Sequence, residues 1–461
     1  MWVMTSLEER EPPQQPPWQC RDVPAPRSVS NKCFAAGVRV RIVARQMMPL
    51  PPIPARAWLC VALLWLVALL NYLDRIMLTT MRQSVTEAVP MTEAQFGLLT
   101  SVFLWVYAGL SPLAGFLADR FSRSRVIIGS LLVWSAITWL TGQARTFDQL
   151  LFARALMGVS EACYIPAAMA LIMDYHRGPT RSLANGIHVS GTFVGAGLGG
   201  LGGWLAERHE WGYAFRLFGL VGIVYAIALV FLLRDAPREQ APGTESSGPP
   251  TETRLLPALK SLLHGSFFLA LLFWGLLGLV GWGVLGWMPT YFMEQFHLGQ
   301  GTAGFSATGY LQTAALIGVI FGGALTDQWS RAGEHRRITI TVIALSLAAP
   351  GILLAAKTSL LVAAIGGLIL YGFMRSFADV NMMPILCLVC DPRYRATGYG
   401  VLNLFACLVG GLTIYAGGVL RDAKVDVSRI FEFSAVSLLA CAVILFFVKP
   451  RAKGSPRTPA I

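Results

Sequence analysis

The chain has 461 residues, of which 55% are hydrophobic and only 13% are charged, and its mean hydropathy is +0.57. Soluble domains carry about 25% charged residues, so this composition excludes an ordinary soluble protein and predicts a chain that crosses a membrane many times. The net charge of +12 does not indicate a nucleic-acid partner, because the Lys and Arg residues lie in short loops between apolar segments.

The first 55 residues are rich in proline and mixed with polar side chains, as in PPQQPPWQ and PLPPIPAR. Such a stretch lacks the apolar residues of a packed core, and it has no apolar region before a cleavage site of the kind found in secretory signals. Two interpretations stay open. Residues 1–55 form a disordered cytoplasmic tail, or the true start of the protein is Met47 or Met48.

Twelve apolar segments follow, each near or above the ~20 residues that a membrane-spanning helix needs. The stretch 234–265 is rich in Pro, Gly, Ser and Glu and separates them into two sets of six. The predicted organisation is a six-helix half at 56–233, a cytoplasmic linker at 234–265, a second six-helix half at 266–448 and a cytoplasmic tail at 449–461. The segments lie roughly at 57–81, 93–117, 126–143, 147–173, 183–206, 213–233, 266–291, 302–325, 338–356, 359–388, 397–420 and 429–448.

The charges in the loops predict the orientation of the chain. The loops and tail assigned to the cytoplasm hold 18 Lys and Arg residues, and the opposite loops hold 7. Cytoplasmic loops of membrane proteins carry the excess of positive charge, so both termini are expected in the cytoplasm. We expect a multi-pass monomer in a bacterial inner membrane.

Short matches between the two sets of segments indicate an internal repeat. GFLADRFSR from Gly115 aligns with GALTDQWSR from Gly323 at an offset of 208 residues, and Arg181 aligns with Arg395 at an offset of 214. Four such matches occur in the same order, which chance alone rarely produces. Parallel repeats of six spans are typical of transporters that work by alternating access.

Two adjacent charges, Asp74 and Arg75, interrupt the first apolar segment. A charge inside a membrane costs at least ~2.5–3.5 kcal/mol on insertion scales, so such residues are expected to face a protein-lined interior. Asp74 is the first candidate for a proton carrier, and Glu161 in the fourth segment is the second. The alternative for both carboxylates is a permanent structural pairing with a neighbouring side chain.

Arginines and polar residues of other segments are candidates for substrate contact. Arg75 is the first choice, because a guanidinium offers two parallel donors to a carboxylate or phosphate. Arg154 lies seven residues before Glu161, about two helical turns away on the same face. Arg375 and Asp379 are spaced i,i+4 and either form a second anion contact or neutralise each other. Further candidates are Tyr72, Asn381 and Asn403.

Motifs of enzymes and of ATP-driven pumps are missing from the sequence. No Walker motif, HExxH or GxSxG occurs, and the CxxC at Cys387 and Cys390 has no second pair. We therefore expect no enzyme activity, no metal and no cofactor, with the proton gradient as the energy source. The glycine run at 195–203 lies inside an apolar segment and predicts close helix packing.

The stretch GFLADRFSRSRV closely resembles the signature loop of the major facilitator superfamily, with Ser122 where that family usually has glycine. The resemblance implies an all-α membrane protein with twelve transmembrane helices in two six-helix halves. It also implies that this loop latches the two halves together in the outward-open state, with a weaker copy in the second half. The predicted gating residues are Gly115, Asp119, Arg120 and Arg123, followed by Asp327 and Arg331 in the second copy.

Tyr72-x-Asp74-Arg75, taken with Arg154-x6-Glu161, resembles the anion:cation symporter branch of this superfamily. That resemblance implies proton-coupled symport of an organic anion, such as a sugar acid. The spinster-like lipid transporters share the Asp-Arg pair and the acidic residue of the fourth segment, so a spinster-like transporter of a lipid or amphiphile is the alternative. The implied partners are a small anionic substrate, protons and membrane lipid, and no nucleic acid.

Overall fold

The protein is described here by a computed structural model. It describes residues 55–176, 180–236, 262, 264–331, 333, 335–390 and 395–448, without the side chains at 112, 115–119, 182, 395 and 396. The predicted tail at 1–55 falls almost wholly outside the described residues, as do most of the linker at 234–265 and all of the tail at 449–461.

Six helical spans form the first half. Span 4 and span 5 each consist of two helices, and a short helix at Arg82–Ala88 joins span 1 to span 2. The spans are Ala55–Thr80 (span 1), Glu93–Arg120 (span 2), Arg123–Thr141 (span 3), Phe147–Glu161 with Tyr164–Tyr175 (span 4), Arg181–Gly197 with Gly200–Ala206 (span 5) and Gly212–Leu232 (span 6).

Six further spans form the second half. Span 8 contains a π-helical turn at Phe305–Gly309. The spans are Gly265–Gln295 (span 7), Gln300–Ser330 (span 8), His335–Lys357 (span 9), Leu361–Val389 (span 10), Arg395–Asp422 (span 11) and Ser428–Phe446 (span 12). Eleven of the twelve are long and apolar enough to cross a membrane, and the interrupted span 5 is the exception.

The predicted fold class is confirmed: the described chain is helical throughout, without a strand, and its twelve spans fall into two sets of six. Large apolar side chains cover its outside, as at Val362 (84% exposed) and Phe231 (71% exposed). On a protein in water such a surface would be unusual, whereas a bilayer solvates it.

The break in span 4 lies beside a proline. Pro166 carries no N–H, so the carbonyl of Ala162, four residues earlier, loses its helical partner. The helix ends at Glu161 and resumes at Tyr164. The break places Glu161 in the last turn of the first piece, deep in the protein.

The halves meet where span 2 packs against span 11 and where span 5 packs against span 8. Oγ of Ser101 donates a hydrogen bond to the carbonyl of Gly411 at 2.6 Å. Across the second contact, Oγ1 of Thr308 donates to the carbonyl of Gly197 at 3.2 Å. The glycine run of span 5 also packs closely on span 1, since a Cβ at Gly195 would lie 2.1 Å from the carbonyl oxygen of Leu69.

Candidate functional site

Arg75 of span 1 and Glu161 of span 4 form a buried ion pair. Nε of Arg75 donates to Oε2 of Glu161 at 2.7 Å, and the two side chains are 3% and 0% exposed. Nδ2 of Asn71 donates to the same oxygen at 2.9 Å. Removing one partner of a buried pair leaves an uncompensated charge, so this contact ties span 1 firmly to span 4.

Three aromatic rings enclose the guanidinium of Arg75. Its central carbon lies 4.5 Å from the ring centre of Tyr107, 4.9 Å from that of Tyr72 and 5.0 Å from that of Phe103. Cation–π attraction strengthens when the cation is removed from water. Because its charge is paired and its surface is covered, Arg75 does not present two accessible N–H donors to a substrate carboxylate in this conformation.

Asp74 points away from Arg75 and lies against span 3. Its Oδ2 accepts a hydrogen bond from Thr138 at 3.3 Å, and its side chain is almost wholly buried. Within the described part of the chain, Oδ1 of Asp74 and Oε1 of Glu161 have no hydrogen-bond partner. A carboxyl that binds a proton becomes a donor as well as an acceptor, so both residues have a free oxygen at which a proton can be held.

Arg154 is buried against span 2. Its Nε donates to the carbonyl of Leu99 at 3.3 Å, and its Nη1 lies 3.1 Å from the sulfur of Met157. Its guanidinium also lies 4.8 Å from the ring centre of Phe103, the ring that contacts Arg75. Arg154 is thus beside the Arg75–Glu161 pair without bonding to Glu161, and it is 1% exposed.

The second half contributes a more open pair. Arg375 donates to Asp379 at 2.9 Å, and their side chains are 23% and 26% exposed. Gly281 of span 7 makes room for this arginine, since a Cβ there would lie 2.8 Å from one guanidinium nitrogen. Asn403 of span 11 is half-buried and has no hydrogen bond among the described residues. These three predicted substrate contacts are less buried than Arg75, Arg154 and Asn381.

Asn381 is placed differently from the prediction. Its Nδ2 donates to Thr326 at 3.2 Å and to the carbonyl of Phe377 at 2.7 Å, and its Oδ1 accepts from Arg337 at 2.8 Å. The side chain is fully buried, and these bonds join spans 8, 9 and 10. Its amide is therefore occupied by the protein, which favours a structural role over the predicted contact with a sugar hydroxyl.

The same arginine organises the second copy of the predicted latch. Arg337 donates to Asp327 at 2.7 Å, whereas Arg331 is exposed. In the sequence, Arg337 counted only as a loop charge. The signal that could have identified it is its position, one turn into the span that follows the repeated loop.

The first copy of the latch is only partly described. The side chain of Asp119 and the surroundings of Gly115 lie outside the described residues, and Arg120 is exposed. Arg123 pairs with Asp174 and donates to the carbonyl of Ala170 at 3.1 Å, both in span 4 of the same half. These contacts hold the start of span 3 in place, and the predicted gating role remains a prediction.

Four charges at the outer face join the two halves, and reasoning from the sequence missed them. The outer face is the side where span 1 ends and span 2 begins, predicted to be periplasmic. Arg82 contacts Glu93 at 2.5 Å and Glu294 at 3.0 Å, while Arg421 contacts Glu294 at 2.7 Å and Glu93 at 3.2 Å. Each arginine thus bridges an acid of each half. We call these four residues the outer-face network.

Further bonds reinforce this closure. Both oxygens of Asp422 accept backbone N–H groups at the start of span 2, from Glu93 and Ala94, each at 2.9 Å. The first turn of a helix has unpaired N–H groups and a positive dipole end, so a carboxylate stabilises it. Gln300 of span 8 donates to Oγ of Ser84 at 2.7 Å, again between the halves.

Comparison with known proteins places the chain among transporters. The family model of the Major Facilitator Superfamily matches residues 64–414. Protein spinster homolog 1 of Xenopus tropicalis is 26% identical over 382 residues, which cover 78% of this chain and 72% of that protein. An MFS-type efflux pump of Mycolicibacterium smegmatis is 26% identical over 386 residues, covering 81% and 86%. The human spinster homolog 1 is 29% identical over 248 residues, which cover 52% of this chain and 47% of that protein.

Solved structures agree with this at the level of the fold. The crystal structure of a bacterial homologue of the human lysosomal transporter spinster, in an inward-facing and unoccupied conformation, has a TM-score of 0.64 and 23% sequence identity. The match covers 86% of this chain and 95% of that one. Since the family model spans most of the sequence and the fold agrees, this chain belongs to the Major Facilitator Superfamily.

Proposed function

We propose that this chain is a spinster-like secondary transporter that moves a lipid or other amphiphile by alternating access, coupled to protons. The observation that carries this proposal is the state of Arg75. Its Nε is bonded to Glu161 at 2.7 Å, and three rings bury the guanidinium on which the organic-anion interpretation depended, with Nη2 left without a hydrogen-bond partner among the described residues. The spinster relatives favour the same choice over symport of a sugar acid.

Proton coupling rests on the two buried carboxylates of the first half. A proton on Glu161 removes the charge that Arg75 pairs with, and a buried cation without its partner is costly. The protein then gains by moving spans 1 and 4 until Arg75 is hydrated or paired again. Asp74, on the other side of span 1, is the second group at which a proton can be held.

The substrate headgroup is assigned to the second half. Arg375 and Asp379 are about a quarter exposed, in contrast to the sealed Arg75–Glu161 pair. A pair of opposite charges offers both donors and acceptors, which suits a zwitterionic or phosphate-bearing headgroup. Half-buried Tyr72 and Asn403 are further candidates for contact with it.

The proposal is tested by thermal unfolding of the purified protein with lysolipids, sugar acids, sugar phosphates and dicarboxylates. A ligand at a hundred times its Kd stabilises the native state by about 2.7 kcal/mol. We expect a lysolipid to stabilise the wild type and Arg375→Gln to lose most of that shift. Arg429→Gln, which removes an exposed arginine of the same half, is the matched control and keeps the shift. Stabilisation by a sugar acid alone, lost in Arg75→Ala, would restore the organic-anion interpretation.

A further inference from the structure

A groove outside the proposed transport site lies between the start of span 3 and the end of span 6. Its cavity is about 600 Å³. Arg125 and Arg234 lie on its polar side, and Ile128, Gly129 and Val230 lie on its apolar side. Both helix ends belong to the face that the loop charges predict to be cytoplasmic.

The guanidinium groups of the two groove arginines are available to a ligand. Both are exposed, and within the described ranges neither guanidinium has an ion-pair or hydrogen-bond partner. Each can therefore give two parallel N–H donors to an anion with little desolvation cost. In this respect they differ from Arg75, Arg82, Arg337 and Arg421, all of which are paired.

Asp235 is the one acidic residue that lines the groove, and its charge is already satisfied. Its Oδ2 accepts from the hydroxyl of Ser122 at 2.6 Å, and its Oδ1 accepts from the backbone N–H of Ser124 at 2.8 Å. Partial burial acts to raise the pKa of Asp235, but these hydrogen bonds hold it below its ordinary value. The carboxylate thus caps the first turn of span 3. The two arginines together carry more positive charge than Asp235 neutralises, so the groove is net positive.

The apolar side of the groove opens toward the membrane. A Cβ at Gly129 would meet no atom within 4 Å, so the backbone of span 3 leaves an empty slot beside Ile128. Val230 on the facing span is 58% exposed. A hydrocarbon chain lying here would contact apolar side chains while its headgroup stayed level with the arginines.

We propose that this groove binds an anionic phospholipid of the surrounding leaflet, with Arg125 and Arg234 on its phosphate and the slot at Gly129 receiving the start of an acyl chain. Basic pockets between helices at a membrane surface suit anionic headgroups, and the adjoining apolar slot favours a lipid over free phosphate. The bound lipid would link span 3 to span 6 at the point where the first half ends. This inference does not depend on the proposed transport function.

The test measures lipid binding by native mass spectrometry of the full chain. The probes are dioleoyl phosphatidylglycerol, which is anionic, and dioleoyl phosphatidylcholine, which has no net charge. We expect the wild type to bind the anionic lipid at least tenfold more tightly. Removing two interfacial arginines should weaken that binding roughly thirty-fold in the double variant R125Q/R234Q.

The matched control is R331Q/R336Q, which removes two exposed arginines from the same face of the second half. Its affinity for phosphatidylglycerol should stay within about threefold of the wild-type affinity. Gly129→Leu fills the slot without changing any charge. This variant should bind phosphatidylglycerol more weakly and bind inorganic phosphate as tightly as the wild type does. If the double variant fails to fold, the single variants R125Q and R234Q are measured, each with an expected loss of about fivefold.

Three outcomes would overturn the proposal. Equal losses in the groove and control variants would show that only net charge matters. Full binding by R125Q/R234Q would remove the arginines from the site. Inorganic phosphate that displaces the lipid at equal affinity, with no effect of Gly129→Leu, would show a free-phosphate site in place of a lipid site.

Discussion

Glu161 holds the charge of Arg75 inside the protein, so its carboxylate affects both stability and transport. Glu161→Gln keeps the shape of the side chain but leaves the guanidinium without its counter-charge. Breaking a buried pair in this way costs about 3–5 kcal/mol. We expect this variant to unfold at a lower temperature than the wild type. We also expect no proton-driven accumulation of substrate in proteoliposomes with an imposed pH gradient.

Glu432→Gln is the control for that experiment, because among the described residues Glu432 pairs only with two exposed cations, Arg429 of its own helix and Lys357 at the end of span 9. Exposed pairs contribute little, about 0–1 kcal/mol, so this variant should unfold and transport like the wild type. Accumulation by Glu161→Gln at the wild-type level would remove Glu161 from the coupling role.

Asp74 is predicted to give the opposite stability result. It has no paired arginine, and its contact is a hydrogen bond from Thr138 at 3.3 Å. Asn at this position can still accept that bond without placing a charge in the interior. We therefore expect Asp74→Asn to unfold at or above the wild-type temperature and yet fail to accumulate substrate. Reduced stability together with normal accumulation would identify Asp74 as a structural residue only.

The charged residues of the interior could be found from the sequence, but their pairing could not. Asp74 and Arg75 are neighbours in sequence, and consecutive helical side chains point about 100° apart. Asp74 therefore contacts span 3 and Arg75 contacts span 4. Likewise Asn381 was recognised as a polar residue in an apolar segment, but its partner Arg337 lies 44 positions away. A sequence pattern shows that such a group needs a partner without showing which one it finds.

At the scale of the helix, Arg421 connects span 11 to acids of spans 2 and 7. Arg421→Gln removes its ion pairs with Glu93 and Glu294. The acids then repel each other across the halves with Arg82 alone between them. We expect the outer face to open more often, seen as a longer distance between spin labels at the exposed positions Ala88 and Ser359 in pulsed electron paramagnetic resonance.

Arg429→Gln controls for charge at the same face, because its partner Glu432 is in its own helix and not in the other half. That variant should leave the distance distribution unchanged. A distribution in Arg421→Gln identical to the wild type would show that the network does not hold the halves together.

The spans themselves were predictable because a run of about twenty apolar residues matches the thickness of a bilayer and is rare in soluble domains. Their internal breaks were not predicted. Span 4 was expected as one segment at 147–173, yet it divides near Pro166, and span 5 divides within its glycine run. Proline is tolerated inside many membrane helices, so whether it breaks one depends on the neighbouring spans that satisfy the freed backbone groups.

For the whole molecule, the repeat at offsets of 208 and 214 correctly indicated two equivalent halves. It could not indicate which surfaces of those halves meet, because a repeat relates equivalent positions and not contact partners. The contact surfaces are spans 2 and 5 of the first half with spans 11 and 8 of the second. The outer-face network was hidden for the same reason, since its residues resembled ordinary loop charges until the halves were placed together.

Alternating access requires that the contacts between the halves at the outer face open during each cycle. Ser84 and Gln300 lie across this boundary, joined by a hydrogen bond of 2.7 Å. In a variant without the native cysteines, Ser84→Cys and Gln300→Cys can be linked by a short bifunctional methanethiosulfonate reagent. This cross-link should abolish transport, and a reductant should restore it. Lysolipid should still stabilise the linked protein, because the linkage leaves the Arg375 region untouched. Each single cysteine variant, treated with the same reagent, should transport normally. Transport by the linked protein would mean that substrate crosses without separation of the halves at this face, contrary to alternating access.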